Sequence, residues 1–350
     1  MLVVAGQDRA IQERLSAELA DVEGRFGAEL LSDLRCVNDL VMHVERYRGK
    51  MLRPMLVLVS GMAVAPALAG GGKTPARGDL TDGHRVVATV VEMVHMATLV
   101  HDDILDEAEV RRRGTTVNAL NGNEAAVMLG DYMISHAYHL CSGLGQPAVS
   151  RMIADTTNTV CEGELLQLAN RNNWDLDEAT YFEIIRRKTA SLTGGCCRLG
   201  AILHESAGDA LGDTMYSYGE KVGIAFQVVD DLLDLVGEEK TVGKSLGRDL
   251  AKGKLTLPVI HHLATADPAR RRHMLGLIKS IGAEANADSV NLASVAEVRA
   301  IVVASPSMDY ARDWSGRLIE QAKTSLDVLP DSPARALLYD MADAVLSRKS

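Results

Sequence analysis

Apolar positions recur at helical spacing along most of the chain. Ile11, Leu15, Leu19 and Val22 fall four, four and three residues apart, so residues 8–47 read as amphipathic helix. Residues 46–54 (Arg-Tyr-Arg-Gly-Lys-Met-Leu-Arg-Pro) follow, and Pro54 suits the first turn of the next helix. That helix, Met55 to about Val64, is apolar nearly all round and reads as buried. Residues 65–83 are rich in Gly and Pro and read as loop; a long apolar helix then starts near Gly83 and runs to acids at 102–106. Beyond a loop at 114–123, helices are predicted at 124–142, 148–170 and 177–207, the last interrupted near Gly194-Gly195, and at 209–236. A polar loop at 237–253 precedes helices at 255–264, 267–281, 293–304, 308–328 and 332–348, with a linker at 283–289. No stretch alternates with a period of two. The pattern predicts an all-α fold over 1–350, a single-domain bundle of about ten or more helices, with irregular or mobile segments at 65–83 and 280–292.

The chemistry gathers at two helix ends. Residues 92–112 carry Asp102, Asp103 and Asp106, then Arg111 and Arg112. Positions 102 and 106 share a helix face, with Asp103 alongside, and such crowded carboxylates repel unless a cation sits between them. Hard oxygen ligands suit magnesium, which takes one or two carboxylates and completes its shell with phosphate. Alone, this pattern is more often a solvated acidic helix end. Asp230, Asp231 and Asp234 repeat the spacing after a second apolar helix. Two such clusters predict facing helices with metals and a polyphosphate between them, as metal-assisted departure of diphosphate requires.

Composition narrows the field. The 350 residues are 47% hydrophobic and only 4% aromatic, enough for a sizeable helical core. A net charge of −10 argues against nucleic-acid binding, so an anionic substrate must be held by metal or by local Lys and Arg. Candidates are Lys50 and Arg53 around a Gly-containing turn, Arg111, Arg112, Lys188, Lys244 and Lys254. The five cysteines have no metal-ligand spacing and read as reduced thiols of a cytoplasmic protein. The N-terminal apolar run has no basic region before it, which predicts no signal peptide. Val86 to Val100 is too short to span a bilayer.

In order, Gly49 to Pro54, His95 to Arg112, Gly163-Glu-Leu-Leu-Gln167, Lys188-Thr189, Phe226 to Asp234, Gly243 to Asp249 and Gly253 to Pro258 resemble the trans-type polyprenyl diphosphate synthases. The resemblance covers roughly residues 10–348. It implies an isoprenoid-synthase bundle around a central substrate cavity, and elongation of an allylic diphosphate (farnesyl or geranylgeranyl) by isopentenyl diphosphate. Asp102, Asp103 and Asp106 would hold two magnesium ions, and Asp230 with Asp231 and Asp234 a third. Arg111, Lys188 and Lys254, with Lys244 nearby, would grip the allylic diphosphate; Lys50, Arg53, His95 and Arg112 would hold isopentenyl diphosphate. Thr189 and Gln227 would place oxygens near the developing cation. A homodimer is implied, with transient membrane contact at product release.

The residues one turn before Asp102 bear on product length. Ala97 and Thr98 are small, where short-chain members of the family place a bulky aromatic, and Val94 follows one turn deeper. About nineteen residues at 1.5 Å each leave roughly 28 Å of tunnel wall, which with the resemblance implies a product of about thirty carbons or more, suited to a quinone side chain. The alternatives are a shorter-chain geranylgeranyl diphosphate synthase or a non-catalytic subunit of a heteromeric synthase, although such a subunit should have lost acids from one cluster. A terpene cyclase would not need Lys50, Arg53 and Arg112. Tyr-Arg-Gly-Lys50 and Arg113-Gly114 depart from the usual family pattern at two turns.

Overall fold

The computed structural model describes residues 9–45, 49–68, 80–111, 114–204, 207–236, 247–283 and 292–348. Helix dominates them, as the apolar spacing predicts. The only strands among the described residues are β1 (Val110–Arg111) and β2 (Gly114–Thr115), a two-residue antiparallel ladder. The chain groups into two compact units. One comprises Met1–Thr157, Leu192–Gly219 and Lys323–Met341; the other comprises Asn158–Ser191, Glu220–Ala322 and Ala342–Ser350.

In the first unit, α4 (Asp82–Leu105) is the axis, packed by α1 (Arg9–Glu29), α3 (Leu52–Leu68) and α5 (Val117–Ser142). Every residue from Val86 to Val94 is buried, so this helix is packed all round for about two and a half turns, with Thr89 and Glu92 among its buried side chains. Its first turn is held by His84, fully buried, which accepts from the Thr81 backbone N–H (3.0 Å) and donates to the Gly200 carbonyl (3.0 Å). Arg85 clamps α1 through two bonds to Glu18, at 2.6 and 2.9 Å. The predicted helix over 8–47 is two helices, α1 and α2 (Arg35–Glu45). Ser32 and Asn38 break it, because Asn38 bonds both the backbone N–H and the carbonyl of Ser32 (2.9 and 2.8 Å) and competes with the helical ladder.

Two boundaries move for local reasons. Helix α3 continues through Pro66 to Leu68, into the predicted loop, and residues 69–79 of that loop lie outside the described residues. Helix α5 starts at Val117 rather than 124, with a kink at Gly122, whose φ of 82° and ψ of 163° are not helical.

The second unit holds the later half of α6 (Pro147–Ala169), α7 (Glu178–Ile185), a π-helical turn at Arg186–Ala190, and α9 (Asp209–Val236) from Glu220 onward. The predicted break at Gly194-Gly195 is absent. The irregularity is the π turn instead, and α8 (Ser191–Ile202) runs unbroken through both glycines. A Cβ at Gly194 would lie 2.9 Å from the Tyr216 ring, so the glycine serves close packing. Within the predicted polar loop, a short helix at Arg248–Ala251 follows Gly247, which is left-handed at φ 72°. Helices Leu257–Thr265, Pro268–Ala283, Leu292–Val303, Ser307–Ser325 and Pro333–Leu346 match the remaining predictions to within two or three residues.

Candidate active site

Helix α4 ends at the first acidic cluster. Asp102 is half-buried near the end of the helix, and Asp106 is its C-cap. Asp103 points inward, 1% exposed, with Arg111 Nε donating to both its carboxylate oxygens at 2.8 and 3.0 Å and Arg111 Nη2 lying 2.7 Å from Oδ1. The β1–β2 ladder makes this possible, because it turns the chain back after α4 and presents Arg111 to the helix end. Thr116 and Asn118 pin that turn by donating to the Ala108 carbonyl (2.6 and 3.2 Å). Asp103 and Arg111, expected as metal ligand and diphosphate grip, thus form a mutual ion pair. Asp102 and Asp106 remain as the pair on one face. Arg112 lies outside the described residues.

The basic turn before α3 is in the same unit. Met51 has φ of 55°, a left-handed conformation uncommon for a side chain of its size, flanked by exposed Lys50 and half-buried Arg53. Such strain is concentrated at functional turns. His95 is half-buried on α4.

Deeper along α4, Val91 and Val94 line a small apolar cavity of about 10 Å³ with Ile153 and Thr156 of α6 and Leu192 and Leu199 of α8. Val91, Val94, Thr98 and Asp102 are three, four and four residues apart, so they form one row along the helix. Thr98 is the member of that row between the cavity and Asp102; its hydroxyl donates to the His95 carbonyl (2.8 Å). Ala97, fully buried, sits about 100° away around the helix.

The second cluster, in the other unit, ends α9. Asp230 is half exposed and accepts from Arg348 Nη2 (3.2 Å), whose guanidinium lies 4.0 Å from the centre of the Phe226 ring. Asp234 accepts from the backbone N–H groups of Arg248 and Asp249, both at 3.3 Å. Asp231 is 4% exposed; it accepts from Tyr181 Oη at 2.6 Å and from Gln227 Nε2 at 2.9 Å. Burial first, then the nearby Asp249 carboxylate, pushes the Asp231 carboxyl well above the usual carboxylate range. Gln227 Oε1 in turn accepts from the Thr189 hydroxyl at 3.1 Å.

Tyr181, Thr189, Gln227 and Asp231 border a cleft of about 130 Å³, partly open to solvent, that also takes in Lys188, Lys254 and Asp249. Lys188 and Thr189 lie on the π turn, whose extra residue per turn re-aims side chains and recurs at functional sites. Gly163 of α6 lets the turn come close: a Cβ there would be 2.4 Å from the Lys188 backbone nitrogen. Lys188 is ion-paired with Glu164. Lys254 follows Gly253, left-handed at φ 69° and packed on Asn172. Lys244 lies outside the described residues.

Sequence reasoning assigned no role to Tyr181, Glu164, Asp249 or Arg348. Asp249 and Glu164 did stand inside motifs that were singled out, which was a usable signal; Tyr181 and Arg348 carried none.

Among the described residues, no three acidic, histidine or cysteine side chains close into a ready metal cage. The donor set still fits magnesium. Asp102 and Asp106 offer two hard oxygens on one face, Asp231 is a buried carboxylate destabilised by its acidic neighbours, and magnesium relies on substrate phosphate for the rest of its shell.

Comparison with known proteins agrees with this geometry. A family model described as "Polyprenyl synthetase" matches residues 35–295. The octaprenyl diphosphate synthase of Escherichia coli K12 is 31% identical over 97% of this chain and 98% of its own length. The nonaprenyl diphosphate synthase of Mycobacterium tuberculosis is 34% identical over 99% of this chain and 98% of its own. A polyprenyl synthase from Caulobacter crescentus, crystallised with calcium and isoprenyl diphosphate, superposes with a TM-score of 0.84 at 29% identity, covering 97% of each chain. Two acid-ended helices on an isoprenoid-synthase fold and full-length similarity to prenyl-transferring enzymes establish that this chain belongs to the polyprenyl synthetase family.

Proposed function

We propose that the protein condenses isopentenyl diphosphate with an allylic diphosphate, farnesyl or geranylgeranyl, and makes a long all-trans polyprenyl diphosphate for a quinone side chain. The observation that carries this reading is the pair of intact acidic helix ends, each with basic residues in its own unit, in a family of prenyl-transferring enzymes. A non-catalytic subunit would have no use for both. The family model spans 35–295 without a break, which supports one polyprenyl synthase domain.

Magnesium, up to three ions with substrate, would neutralise charge on the departing diphosphate. Asp102, Asp103 and Asp106 at one helix end, and Asp230, Asp231 and Asp234 at the other, are the proposed holders, with Arg111, now paired to Asp103, turned to diphosphate when substrate and metal bind. Lys188 and Lys254 would take the allylic diphosphate, Lys188 exchanging its Glu164 partner for phosphate oxygen. Lys50, Arg53 and His95 would take the unreacting diphosphate of isopentenyl diphosphate. Thr189 and Gln227 turn oxygen dipoles toward the cleft, where they favour a developing allylic cation. The isopentenyl double bond attacks that cation, and a proton is then lost, in this family to the departing diphosphate.

The test is incubation of purified protein with farnesyl diphosphate, labelled isopentenyl diphosphate and magnesium, followed by product chromatography. A ladder of elongated products is expected. Product that stops after one or two additions would favour the short-chain alternative, and no product at all the non-catalytic subunit.

Two substitutions probe the site from different sides. Lys50→Ala or Arg53→Ala should raise KM for isopentenyl diphosphate while kcat changes little, since each removes a charge-assisted contact to an unreacting group worth about 1.5–3 kcal/mol. An effect confined to the allylic substrate would reverse the assignment. Gly163→Ala would ordinarily stabilise a helix by about 0.5–1 kcal/mol. Here the methyl must displace the π turn, so allylic affinity and turnover should fall together; unchanged kinetics would show that the turn does not set Lys188.

A homodimer is the proposed assembly. Leu120, Val127 and Met128 of α5 are 56%, 41% and 65% exposed, apolar side chains that a second copy could cover, and sedimentation velocity reads the outcome directly. No described helix is long and apolar enough to cross a membrane. Five free cysteines, three of them buried, support a reducing compartment, and the cytoplasm is the proposed location; cell fractionation checks it.

A further inference from the structure

Tyr181 belongs to none of the motifs, yet it touches the second acidic cluster at its most buried point. It lies on α7, which starts at the Asp177 cap, whose carboxylate accepts from the Thr180 N–H at 2.7 Å. The phenol is buried, 3% exposed, and donates to Asp231 Oδ2 at 2.6 Å.

A neutral donor at this place has a specific consequence. Arg111 holds Asp103 by an ion pair and cancels its charge. Tyr181 holds Asp231 by a neutral hydrogen bond instead. Asp231 Oδ1 then accepts from Gln227 Nε2, which turns the other end of that amide, Oε1, toward the Thr189 hydroxyl. One bond from Tyr181 therefore fixes a carboxylate, an amide and a hydroxyl in sequence.

We infer that Tyr181 is a positioning residue for the reaction: its phenol orients Asp231, and through it Gln227 and Thr189, for the metal-bound diphosphate. This rests on the proposed role of Asp231. Partners that orient a metal ligand typically contribute about 10–100-fold to metal affinity.

Tyr181→Phe keeps the ring, and with it the edge contact to Phe182 (5.3 Å), while removing only the hydroxyl. The full chain and its variants are titrated with Mn²⁺ in the presence of inorganic pyrophosphate, and bound metal is read by electron paramagnetic resonance, which needs no turnover. Y181F is expected to weaken Mn²⁺ binding about tenfold. In a D231N background the same change should have no further effect, because the residue acts through Asp231. Wild-type affinity in Y181F, or an equal loss of affinity with Asp231 already replaced, would overturn the inference. If the original protein binds Mn²⁺ and pyrophosphate but transfers no prenyl group, the functional reading fails while this comparison still decides the role of Tyr181.

Discussion

Asp102→Ala or Asp230→Ala should lower turnover by at least about a hundredfold, with helical content unchanged. Both carboxylates stand at helix ends rather than in the core: Asp102 is half-buried and Asp230 is 53% exposed at its side chain. Their loss therefore leaves core packing intact and removes charge, together with the Arg348 contact of Asp230. Carboxylates and diphosphates repel unless a cation joins them, so the deficit should not be restored by more substrate. Partial restoration by high magnesium is expected only where neighbouring acids remain. Circular dichroism beside steady-state kinetics checks the prediction, and near-normal turnover in both variants at saturating magnesium would sink the metal assignment.

Thr98→Phe should shorten the product. Thr98 lies on the α4 row that joins Asp102 to the cavity lined by Val91 and Val94, about 6 Å along the axis from the acid and about 6 Å from Val94. An aromatic ring there would close the way to the cavity below the reacting atoms, so condensation should continue and stop early, at about fifteen or twenty carbons. Ala97→Phe should act in the same direction but cost more stability, because Ala97 is fully buried and off the row. Product chromatography of the two variants beside the original protein reads both effects. A long product from Thr98→Phe would place the growing tail elsewhere.

The axis of the fold was legible because α4 is governed by local rules: a long, mostly apolar run, no proline, and acids four residues apart at its end. The same holds for α9. The break between α1 and α2 was hidden because apolar spacing carries on across it, while the deciding bonds come from two polar side chains, Ser32 and Asn38. The π turn was hidden too, since a shift in hydrogen-bond register leaves no composition signature; only Gly163, on another helix, marks where the turn must approach.

The partners of the site residues were least legible. Tyr181 meets Asp231 across 50 residues of sequence and Glu164 meets Lys188 across 24, distances at which no helical period constrains a pair. Asp103 shows the converse. Its spacing fits a metal ligand, and the eight residues to Arg111 also let the β1–β2 turn fold an arginine onto it.

The most direct test counts diphosphate. Purified protein is given farnesyl diphosphate and labelled isopentenyl diphosphate, and released inorganic diphosphate is compared with label incorporated, with magnesium and then with a chelator. The account predicts one diphosphate released for each isopentenyl unit added, and neither event once magnesium is removed. Diphosphate release without incorporation, or incorporation that persists in the chelator, would contradict it.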